Sequence, residues 1–594
     1  MSRNAEVAAL LEEMADRLEA TGVEYKPRAY RQAADNIRSH TVAIDQLAAE
    51  GQDAVEEIDR VGDAISSKVV EYVETGSIAE LEDLREQLPV DIDALTKVEG
   101  VGPKTVGELY EALGVQDLDD LEAAAEAGEI REVKGFGAKT EQNILENIPF
   151  ARQSHERQLL GDAIPLAERV TDHLREHEAV EQVDTAGSLR RWRATIGDVD
   201  LLVASTEGET VVDHFTDFEA ETIEAGTSKA SLRANGIRVD LRVVVPDEWG
   251  AALQYFTGSR DHNIRLRNRA LERDLKVNEY GVFDVSDVDD TDAGEGTEGS
   301  RTSSDASAGR QRVGKRVAGE TEEGVYAALD LPPIPPELRE DRGEIDAAAD
   351  GDLPDLIEEG AVRGDLHLHT EWSDGHDTIA EMVEGAAEFG HDYIAISDHA
   401  TGPGMVGGVG LDDDQLLEQA EEVRAVAADA SIRVFTGVEA NIDTDGSISV
   451  ADDVLAELDC VVASPHAGLD GDGTERLVAA CEHPDVNVLG HPTGRLLNQR
   501  EGLDLDIEAV ATAAAANDTA LEINANPHRL DLRGQFVTAA VEAGATIAIN
   551  TDAHTPSSYA FVRYGVHTAR RGWAEADDVL NTRDADGVAE FLGL

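Results

Sequence analysis

The sequence predicts a multidomain chain with helical N-terminal domains, a mixed α+β middle and a C-terminal α/β barrel. Apolar residues recur at helical spacing through the first 150 positions, and two β-branched strands carry acidic residues near positions 200 and 240. After residue 362, seven short apolar segments alternate with helices, as in a parallel barrel. With 594 residues, 41% of them apolar, the chain can form roughly three to five domains.

The composition is strongly acidic. The formal net charge is −73, and only nine of the 50 basic residues are lysine. This surface resembles that of proteins from halophilic archaea with molar salt in the cytoplasm, and we expect such a source. An acidic disordered protein is the alternative, but the apolar periodicity argues against it. Net acidity does not exclude nucleic acid as partner, because the Debye length is about 3 Å at 1 M salt.

Two cysteines, Cys460 and Cys481, exclude a disulfide framework and indicate a reducing compartment. The sequence has no apolar segment of about 18 residues. We therefore expect a soluble, cytoplasmic protein, without membrane attachment and monomeric.

Residues 1–88 are predicted to form a helical domain with a glycine-containing hairpin between Ile58 and Tyr72. Lys68 lies on the helix after this hairpin, while Lys26 and Tyr30 precede it. A solvated helix lysine is the simplest interpretation of Lys68, although lysine is rare in this chain.

Residues 89–150 contain two further hairpins, Val98–Gly107 and Val133–Glu141. Each pairs two glycines with a lysine at the start of a helix, where backbone N–H groups can bind phosphate without reading sequence. One copy could be a purely structural turn, but two copies with lysines favour DNA binding. The residues concerned are Gly100, Gly102, Lys104, Gly135, Gly137 and Lys139.

Residues 151–246 include the stretch Gly187–Asp200, which contains a Gly-Ser turn, three arginines and an Asp-x-Asp pair before an apolar strand. Asp198 and Asp200 are predicted to alternate along this strand, with Asp240 on a neighbouring one. Three such carboxylates can hold two divalent ions about 4 Å apart, the geometry of phosphoryl transfer. In an acidic protein the simplest interpretation of an Asp-x-Asp pair alone is a solvated turn. That interpretation does not explain the arginines that precede the pair.

Residues 247–340 carry the motif Tyr255-Phe256-Thr257-Gly258-Ser259, followed by a helix with arginines at alternate positions. Residues 285–316 consist mainly of Asp, Gly, Ser and Thr and are predicted to be a disordered insert. The proline run Leu331–Pro336, with residues 337–352, is predicted to be a linker.

Residues 341–594 comprise the end of this linker and the predicted (β/α)7 barrel, with strands at 363–368, 393–397, 432–438, 460–464, 486–490, 520–524 and 546–550. Nearly every strand ends at a metal-binding residue type, on the rim where parallel barrels place their chemistry. Packing would explain a single histidine but not nine such positions: His367, His369, Asp374, His399, Glu439, His466, His491, Asp552 and His554.

The first 340 residues resemble the DNA polymerase beta group of family X polymerases, with lyase, helix-hairpin-helix, nucleotidyltransferase palm and thumb domains. The resemblance implies two Mg²⁺ (or Mn²⁺) in the palm, with deoxynucleoside triphosphates and gapped or nicked double-stranded DNA as partners. It implies a Schiff-base role for Lys68, with Lys26 and Tyr30 in its phosphate pocket, and departs from the family at Arg60, Ala64, Trp192 and Arg260. Nucleotide-binding positions carried over are Gly187, Ser188, Arg191, Tyr255, Phe256, Gly258, Asn263 and Arg267.

The motifs D-L-H-L-H-T, S-D-H, G-H-P and T-D-A-H in the barrel resemble the PHP (polymerase and histidinol phosphatase) domain. All nine ligand positions are matched, which implies up to three divalent ions and hydrolysis of phosphoesters. Mixed imidazole and carboxylate ligands suit Zn, Mn or Fe better than Mg. The whole chain thus resembles the bacterial and archaeal family X polymerases that carry a C-terminal PHP domain.

We therefore expect a DNA repair enzyme, as in base excision repair, that fills short gaps and processes 3′ ends with a PHP 3′-5′ exonuclease. The alternative is a PHP phosphatase or nuclease whose polymerase-like half serves only as a DNA clamp. A small-molecule nucleotidyltransferase fused to a sugar-phosphate phosphatase would leave the hairpins unexplained.

Overall fold

The structure of the chain is a computed structural model. It divides into two compact units, Met1–Arg157 and Gln158–Leu594. The described residues are 3–23, 26–39, 44–56, 58, 60–96, 98, 101–154, 157–234, 237–287, 312–405, 409–469, 471–497 and 502–594. Most of the predicted insert, 288–311, lies outside these ranges.

The first unit is helical, as predicted, and has two cores. One core is formed by the N-terminal helices and the other by the segments around the second and third hairpins. None of the helices that the structure describes in the whole chain is long and apolar enough to cross a membrane. The helices of this unit are Arg3–Ala20, Lys26–Ser39, Ile44–Glu50, Gln52–Glu56, Asp63–Thr75, Ala79–Gln87, Ile92–Thr96, Pro103–Leu113, Leu118–Glu126 and Ala138–Ser154, with a 3₁₀ turn at Ile130–Glu132.

The palm is a five-stranded sheet in the order β2-β4-β7-β6-β5, in which β4 and β7 are the parallel pair. A short pair, β1 and β3, lies beside it. Helices Leu160–Arg175 and Gly208–Thr216 contribute to the palm core, and Gly187–Arg190 forms one helical turn before β4. The strands are β1 Gln158–Leu159, β2 Gln182–Thr185, β3 Thr195–Ile196, β4 Val199–Ala204, β5 Glu221–Ala225, β6 Lys229–Ala234 and β7 Ile237–Val244.

The thumb combines helices Trp249–Thr257, Arg260–Leu271 and Glu322–Ala327 with a three-stranded sheet, whose strands are β8 Leu275–Asn278, β9 Gly281–Asp284 and β10 Lys315–Ala318. A 3₁₀ turn, Pro246–Glu248, precedes it. The predicted insert extended to residue 316, but Lys315 and Arg316 pair with β9 in an ordered strand. The apolar residues between the insert and the barrel therefore serve the thumb core.

The segment predicted as a linker is packed rather than free. Leu338 and Ile345 belong to the thumb core, and Glu337 and Glu344 are buried. The segment also has regular structure, with the 3₁₀ turns Pro336–Leu338 and Glu359–Ala361 on either side of helix Glu344–Asp350. Composition alone predicted a linker because charged residues dominate this segment, but in the structure the charges of the segment pair with residues inside the fold.

The barrel confirms the predicted fold, since all seven expected strands form one parallel sheet in sequential order. A backbone bond of 2.8 Å from His369 N to Ala553 O links the first and last strands and nearly closes the sheet. The strands are β11 Gly364–Asp365, β12 Tyr393–Ile396, β13 Arg433–Asn441, β14 Cys460–Ser464, β15 Val488–Leu489, β16 Ala520–Asn524 and β17 Ile547–Asn550. The helices are Ile379–Phe389, Asp413–Ala427, Asp452–Leu455, Thr474–Cys481, Ile507–Ala516, Gly534–Glu542, Val562–Arg571 and Ala585–Phe591, with 3₁₀ turns Pro556–Phe561, Ala576–Asp578 and Leu580–Thr582.

Palm, thumb and barrel are joined by a buried ionic junction. Glu340 accepts hydrogen bonds from Arg191 Nε at 3.0 Å and from Arg571 at 3.2 Å. Glu337 accepts from Arg570 Nε at 2.7 Å and faces His567 Nδ1 at 2.7 Å. Because Arg570 and Arg571 end the barrel helix Val562–Arg571, this helix is anchored to the palm and thumb.

We predict that Glu337→Gln destabilises the second unit. Burial raises the pKa of Glu337, but His567 and Arg570 outweigh it and lower the pKa from 4.5 to about 2. The stabilisation is therefore complete above about pH 4.5 and is lost as pH falls towards 2. Denaturant unfolding at pH 7 should show a loss of roughly 3 kcal/mol, shrinking in acid.

The matched control is Glu359→Gln, which removes the other carboxylate beside His567. Its side chain is 54% exposed, so we expect a loss of less than about 1 kcal/mol. Equal losses for both variants at pH 7 would show that burial of Glu337 does not matter.

Candidate active sites

The three predicted palm aspartates converge. Their carboxylate oxygens lie within 4.8 Å of one another. Asp200 and Asp240 are direct partners in the parallel pair β4 and β7, so both extend from the same level of the sheet. Asp198 precedes β4 rather than lying within it, which differs from the predicted strand.

Electrostatic repulsion is strong in this triad. Burial is the largest cause that raises the pKa of Asp200, and the charges of Asp198 and Asp240 add to it. Arg191 and Arg242 oppose the rise, and the pKa of Asp200 reaches about 7. Bound cations would relieve this repulsion, so the donor set fits divalent metal ions.

Gly187 approaches the triad closely. Its φ of +59° lies in the left-handed region, and a Cβ built there would overlap Asp200 Oδ2. The Gly187–Arg190 turn places Ser188 beside this point. Arg191 is buried, and its NH1 donates to Thr257 O at 2.8 Å.

Four residues that were not predicted complete the palm cavity of about 270 Å³: Ser231, Arg238, Arg242 and Lys229. Arg238 Nε donates to both oxygens of Asp240, at 2.8 and 3.0 Å, and Ser231 Oγ donates to its Oδ1 at 2.5 Å. Both therefore orient Asp240. The sequence signal that could have indicated this contact is the position of Arg238 two residues before Asp240 on one strand.

Tyr255 and Phe256 of the Tyr255–Ser259 motif lie in the last turn of helix Trp249–Thr257. Only Gly258 and Ser259 form the turn, and Ser259 caps the next helix. Asn263 is buried and donates to Tyr255 O at 2.7 Å and to Gly258 O at 3.1 Å, so it braces this turn.

Arg267 is exposed on the same helix as Asn263, and its Nε donates to Asn263 O at 3.1 Å. The departure at Trp192 has a structural reason, since its ring stacks on His567 of the barrel at 3.5 Å. Arg260 is exposed, and nothing in the structure explains its departure from the family pattern.

The barrel brings all nine predicted ligands to one end of the sheet. Three clusters have donor atoms within 4.8 Å: His369, Asp374, His399 and His554; His367, His369 and Glu439; and His399, Glu439 and His466. His491 Nε2 lies 2.9 Å from Glu439, and His369 Nε2 lies 3.1 Å from Asp552. Glu439 is fully buried at the centre.

The donors of this cluster fit metal ions. Among the described residues, buried nitrogen and oxygen atoms without a hydrogen bond include both carboxylate oxygens of Glu439, both ring nitrogens of His369 and His466 Nε2. Burial lowers the pKa of His466 to about 4. Burial of His399 is outweighed by Glu439 and Asp374, which raise the pKa of His399 to about 10, so a bound cation would have to displace a proton from His399. So many buried nitrogen and oxygen atoms without a hydrogen bond are energetically costly unless cations bind them.

Outer residues that were not predicted hold the ligands in place. Glu522 faces His367 Nδ1 at 2.8 Å and accepts from His491 N at 2.6 Å. Asn441 Oδ1 faces His466 Nδ1 at 2.7 Å. Asp398 accepts from Thr370 N at 2.7 Å and from Ser373 Oγ at 2.6 Å, which fixes the loop that carries Asp374. Such outer partners orient metal-binding histidines.

Comparisons with known proteins agree with both sites. A family described as the DNA polymerase beta thumb matches residues 252–340, and the PHP domain matches 365–526. A helix-hairpin-helix domain matches 2–78, and a SAM-like helix-hairpin-helix tandem matches 53–114 and 92–148. DNA polymerase/3′-5′ exonuclease PolX of Bacillus subtilis (strain 168) is 34% identical over 597 residues, covering 99% of both chains.

The chain belongs to the family X DNA polymerases with a C-terminal PHP domain. Other relatives match the barrel alone. A probable phosphatase of Thermoanaerobacter sp. (strain X514) is 30% identical over 244 residues, covering 38% of this chain and 93% of its own. One of Caldicellulosiruptor bescii is 32% identical over 204 residues, covering 32% and 79%. The halophilic source stays a prediction.

In this family X chain, the predicted lyase residues meet at an acid that was not predicted, Glu80. Lys68 Nζ lies 2.9 Å from Glu80 and donates to Ala64 O at 3.0 Å, while Lys26 lies 3.7 Å from Glu80. Burial alone would lower the pKa of Lys68, but Glu80 and Tyr30 outweigh it and raise the pKa. A Schiff-base nucleophile must be neutral, so Glu80 works against this role.

The hairpins of the first unit expose helix starts, as predicted. Gly102 precedes helix Pro103–Leu113 and caps it without a side chain, and Lys104 beside it is exposed. Gly135, with φ of +104°, and Gly137 form the turn before helix Ala138–Ser154, whose Lys139 is also exposed. Gly100 lies outside the described residues. Both helix starts can therefore accept phosphate groups.

We predict that Gly187→Ala abolishes most nucleotide addition, because its Cβ would displace Asp200. We expect primer extension on a gapped duplex to fall about a hundredfold or more, equivalent to about 3 kcal/mol. The matched control is Gly197→Ala, between β3 and β4, where a Cβ meets no atom within 4 Å. Similar activities for the two variants would contradict the role of this close approach.

We predict weak borohydride trapping of the parent protein on a nicked 5′-deoxyribose phosphate substrate at pH 7.5. Glu80→Gln should increase the adduct several-fold, because the Lys68 amine would lose its proton more easily, and Lys68→Ala should remove it. Glu82→Gln is the control, since Glu82 pairs with Arg85 instead. An equal adduct in the parent and Glu80→Gln proteins would show that Glu80 does not suppress Lys68.

Proposed function

We propose that this family X polymerase fills short DNA gaps with its palm and processes 3′ ends with its barrel. The observation that carries the proposal is the convergence of two sets of possible metal ligands in one chain: Asp198, Asp200 and Asp240 in the palm, and six histidines with three carboxylates in the barrel. Both phosphoryl transfer and phosphoester hydrolysis use such sets. The polymerase name of the full-length relative supports the same assignment.

In the palm, the three aspartates would hold Mg²⁺ or Mn²⁺, which would assist loss of the primer 3′-hydroxyl proton and neutralise the incoming triphosphate. Arg238 and Ser231 hold Asp240 in position. Ser188 and the Gly187 backbone would contact the triphosphate. Arg191 would assist from a position already fixed by Glu340 and Thr257.

Sugar and base recognition would fall to the thumb. Tyr255 and Phe256 are partly exposed, and their rings meet edge to face at 5.1 Å. Asn263 maintains the Gly258 turn through its side-chain amide. Arg267, which is exposed on helix Arg260–Leu271, would contact the template strand.

In the barrel, the nine ligands would hold up to three Zn, Mn or Fe ions, which supply Lewis-acid chemistry for phosphoester hydrolysis. Glu522 and Asn441 fix the ring orientations of His367 and His466. The full-length relative is named as an exonuclease and the barrel-only relatives as probable phosphatases. We favour 3′-5′ exonuclease action, because the barrel here is joined to a polymerase that needs a clean 3′ end.

The two sites should be separable by mutation. Asp200→Ala should reduce gap filling by roughly a thousandfold and leave 3′ processing intact, because cation binding there is worth several kcal/mol. Substitution of both His367 and His369 by alanine should do the reverse. The assay is extension of a gapped duplex and release of label from its 3′ end, with Mn²⁺ in molar KCl.

His483→Ala is the matched control for the barrel, since His483 lies near Asp452 and Asp485 away from the cluster. Release of a labelled nucleotide identifies an exonuclease, whereas release of inorganic phosphate from a 3′-phosphate identifies a phosphatase. If the folded double-histidine variant still processes 3′ ends, the barrel rim is not the hydrolytic site. Normal extension by Asp200→Ala would refute the palm assignment.

A further inference from the structure

A cavity between palm and barrel is lined by an unusual number of arginines. Its volume is about 140 Å³, and five of its twelve lining residues are arginine: Arg193, Arg342, Arg495, Arg533 and Arg571. None of the described lining residues is acidic, although the chain has 123 acidic residues against 50 basic ones. We name it the junction cavity. A random distribution of the charged residues of so acidic a chain would not give a cavity whose charged lining residues are all arginine.

These positive charges are only partly neutralised within the protein. Arg193 and Arg571 share one carboxylate, Glu340, which also accepts from Arg191. Arg495 donates to the backbone carbonyls of Arg529 and Leu530. The buried carboxylate of Asp531 attracts Arg495 but also accepts from Thr493 N. The junction cavity therefore keeps a local excess of cations.

The two remaining arginines, Arg533 and Arg342, lie in different surroundings. Arg533 lies over the Phe536 ring, with its guanidinium carbon 4.0 Å from the ring centroid. Arg342 is exposed, and among the described residues its side chain makes neither an ion pair nor a hydrogen bond. Burial lowers the pKa of Arg571 to about 10 despite Glu340, and repulsion from Arg342 and Arg193 contributes. An anion in the cavity would relieve this repulsion.

Backbone donors add to the arginines. Gly534 and Gln535 line the cavity at the start of helix Gly534–Glu542, and no side chain caps that helix start. Uncapped N–H groups at a helix start favour anions. Guanidinium groups that approach from several directions suit the oxygens of a phosphate, which accept paired hydrogen bonds.

We propose that the junction cavity binds a phosphate group. Its source is either a phosphodiester of a DNA strand or the phosphates of a free nucleotide or pyrophosphate. The cavity lies against palm residues Trp192–Thr195, which in the sequence follow the Gly187–Arg190 turn and precede Asp198. A phosphate bound there would contact both the polymerase palm and the barrel helix that ends at Arg571.

The test uses the full-length protein and the double variant Arg342→Gln/Arg533→Gln. Anisotropy measures binding of a fluorescent single-stranded oligonucleotide between 0.3 and 2 M KCl, and calorimetry measures binding of pyrophosphate. The control is Arg583→Gln, an exposed arginine of the same barrel that does not line the cavity. Near-ultraviolet circular dichroism verifies folding. If the double variant is unstable, Arg342→Gln alone is tested instead, because this substitution removes no side-chain contact.

We expect affinity to fall about tenfold in the double variant and to be unchanged in the control. If a DNA strand is the source, the slope of log K against log[KCl] for the oligonucleotide should decrease by about 1.4, because two cationic contacts are lost. If a free nucleotide or pyrophosphate is the source, only pyrophosphate binding should weaken. Affinities equal to the parent for both probes, and an unchanged salt slope, would overturn the proposal. That failure would leave the two catalytic assignments untouched.

Discussion

Crowding of candidate metal ligands at two points is the constraint on which the second unit depends. The palm holds three aspartates with oxygens within 4.8 Å, and the pKa of Asp200 rises to about 7 through burial and the neighbouring charges. The β4–β7 pairing sets Asp200 opposite Asp240, and Arg238 offsets part of the resulting repulsion by pairing with Asp240. The barrel instead crowds histidines around one buried glutamate, Glu439, whose carboxylate oxygens have no hydrogen-bond partner among the described residues. Both arrangements fit bound cations.

The ionic junction explains why the two chemistries share one compact unit. Glu340 and Glu337 are buried and are bonded to arginines at the end of one barrel helix. Trp192, directly after the Gly187–Arg190 turn and Arg191, adds a stack on His567. The thumb–barrel segment therefore fixes the domains instead of spacing them. A rigid arrangement would keep the hydrolytic site near the same DNA that the palm extends, which raises its effective concentration.

Most of the fold, and the convergence of the candidate metal ligands, could be predicted from sequence because their signals are local. Strand periodicity predicted the barrel, and the residues at strand ends predicted which side chains would meet, since parallel strands bring their carboxyl ends together. Residues that act through distant partners could not be predicted. Glu80 meets Lys68 twelve positions away, Glu522 meets His367 across the barrel, and Glu340 meets Arg571 across the junction. Charged composition suggested a free linker at 337–352 because partners in other domains are invisible in the sequence.

The most direct test of two independent cation sites is to count bound Mn²⁺ by electron paramagnetic resonance. The parent protein, Asp200→Asn, the His367→Ala/His369→Ala variant and a variant that combines all three substitutions would be titrated under identical molar KCl. We expect each variant to lose only the ions of its own site, so that the two losses add up in the combined variant. A parent that binds no Mn²⁺, or a single-site variant that loses the ions of both sites, would contradict the assignment of two separate metal centres.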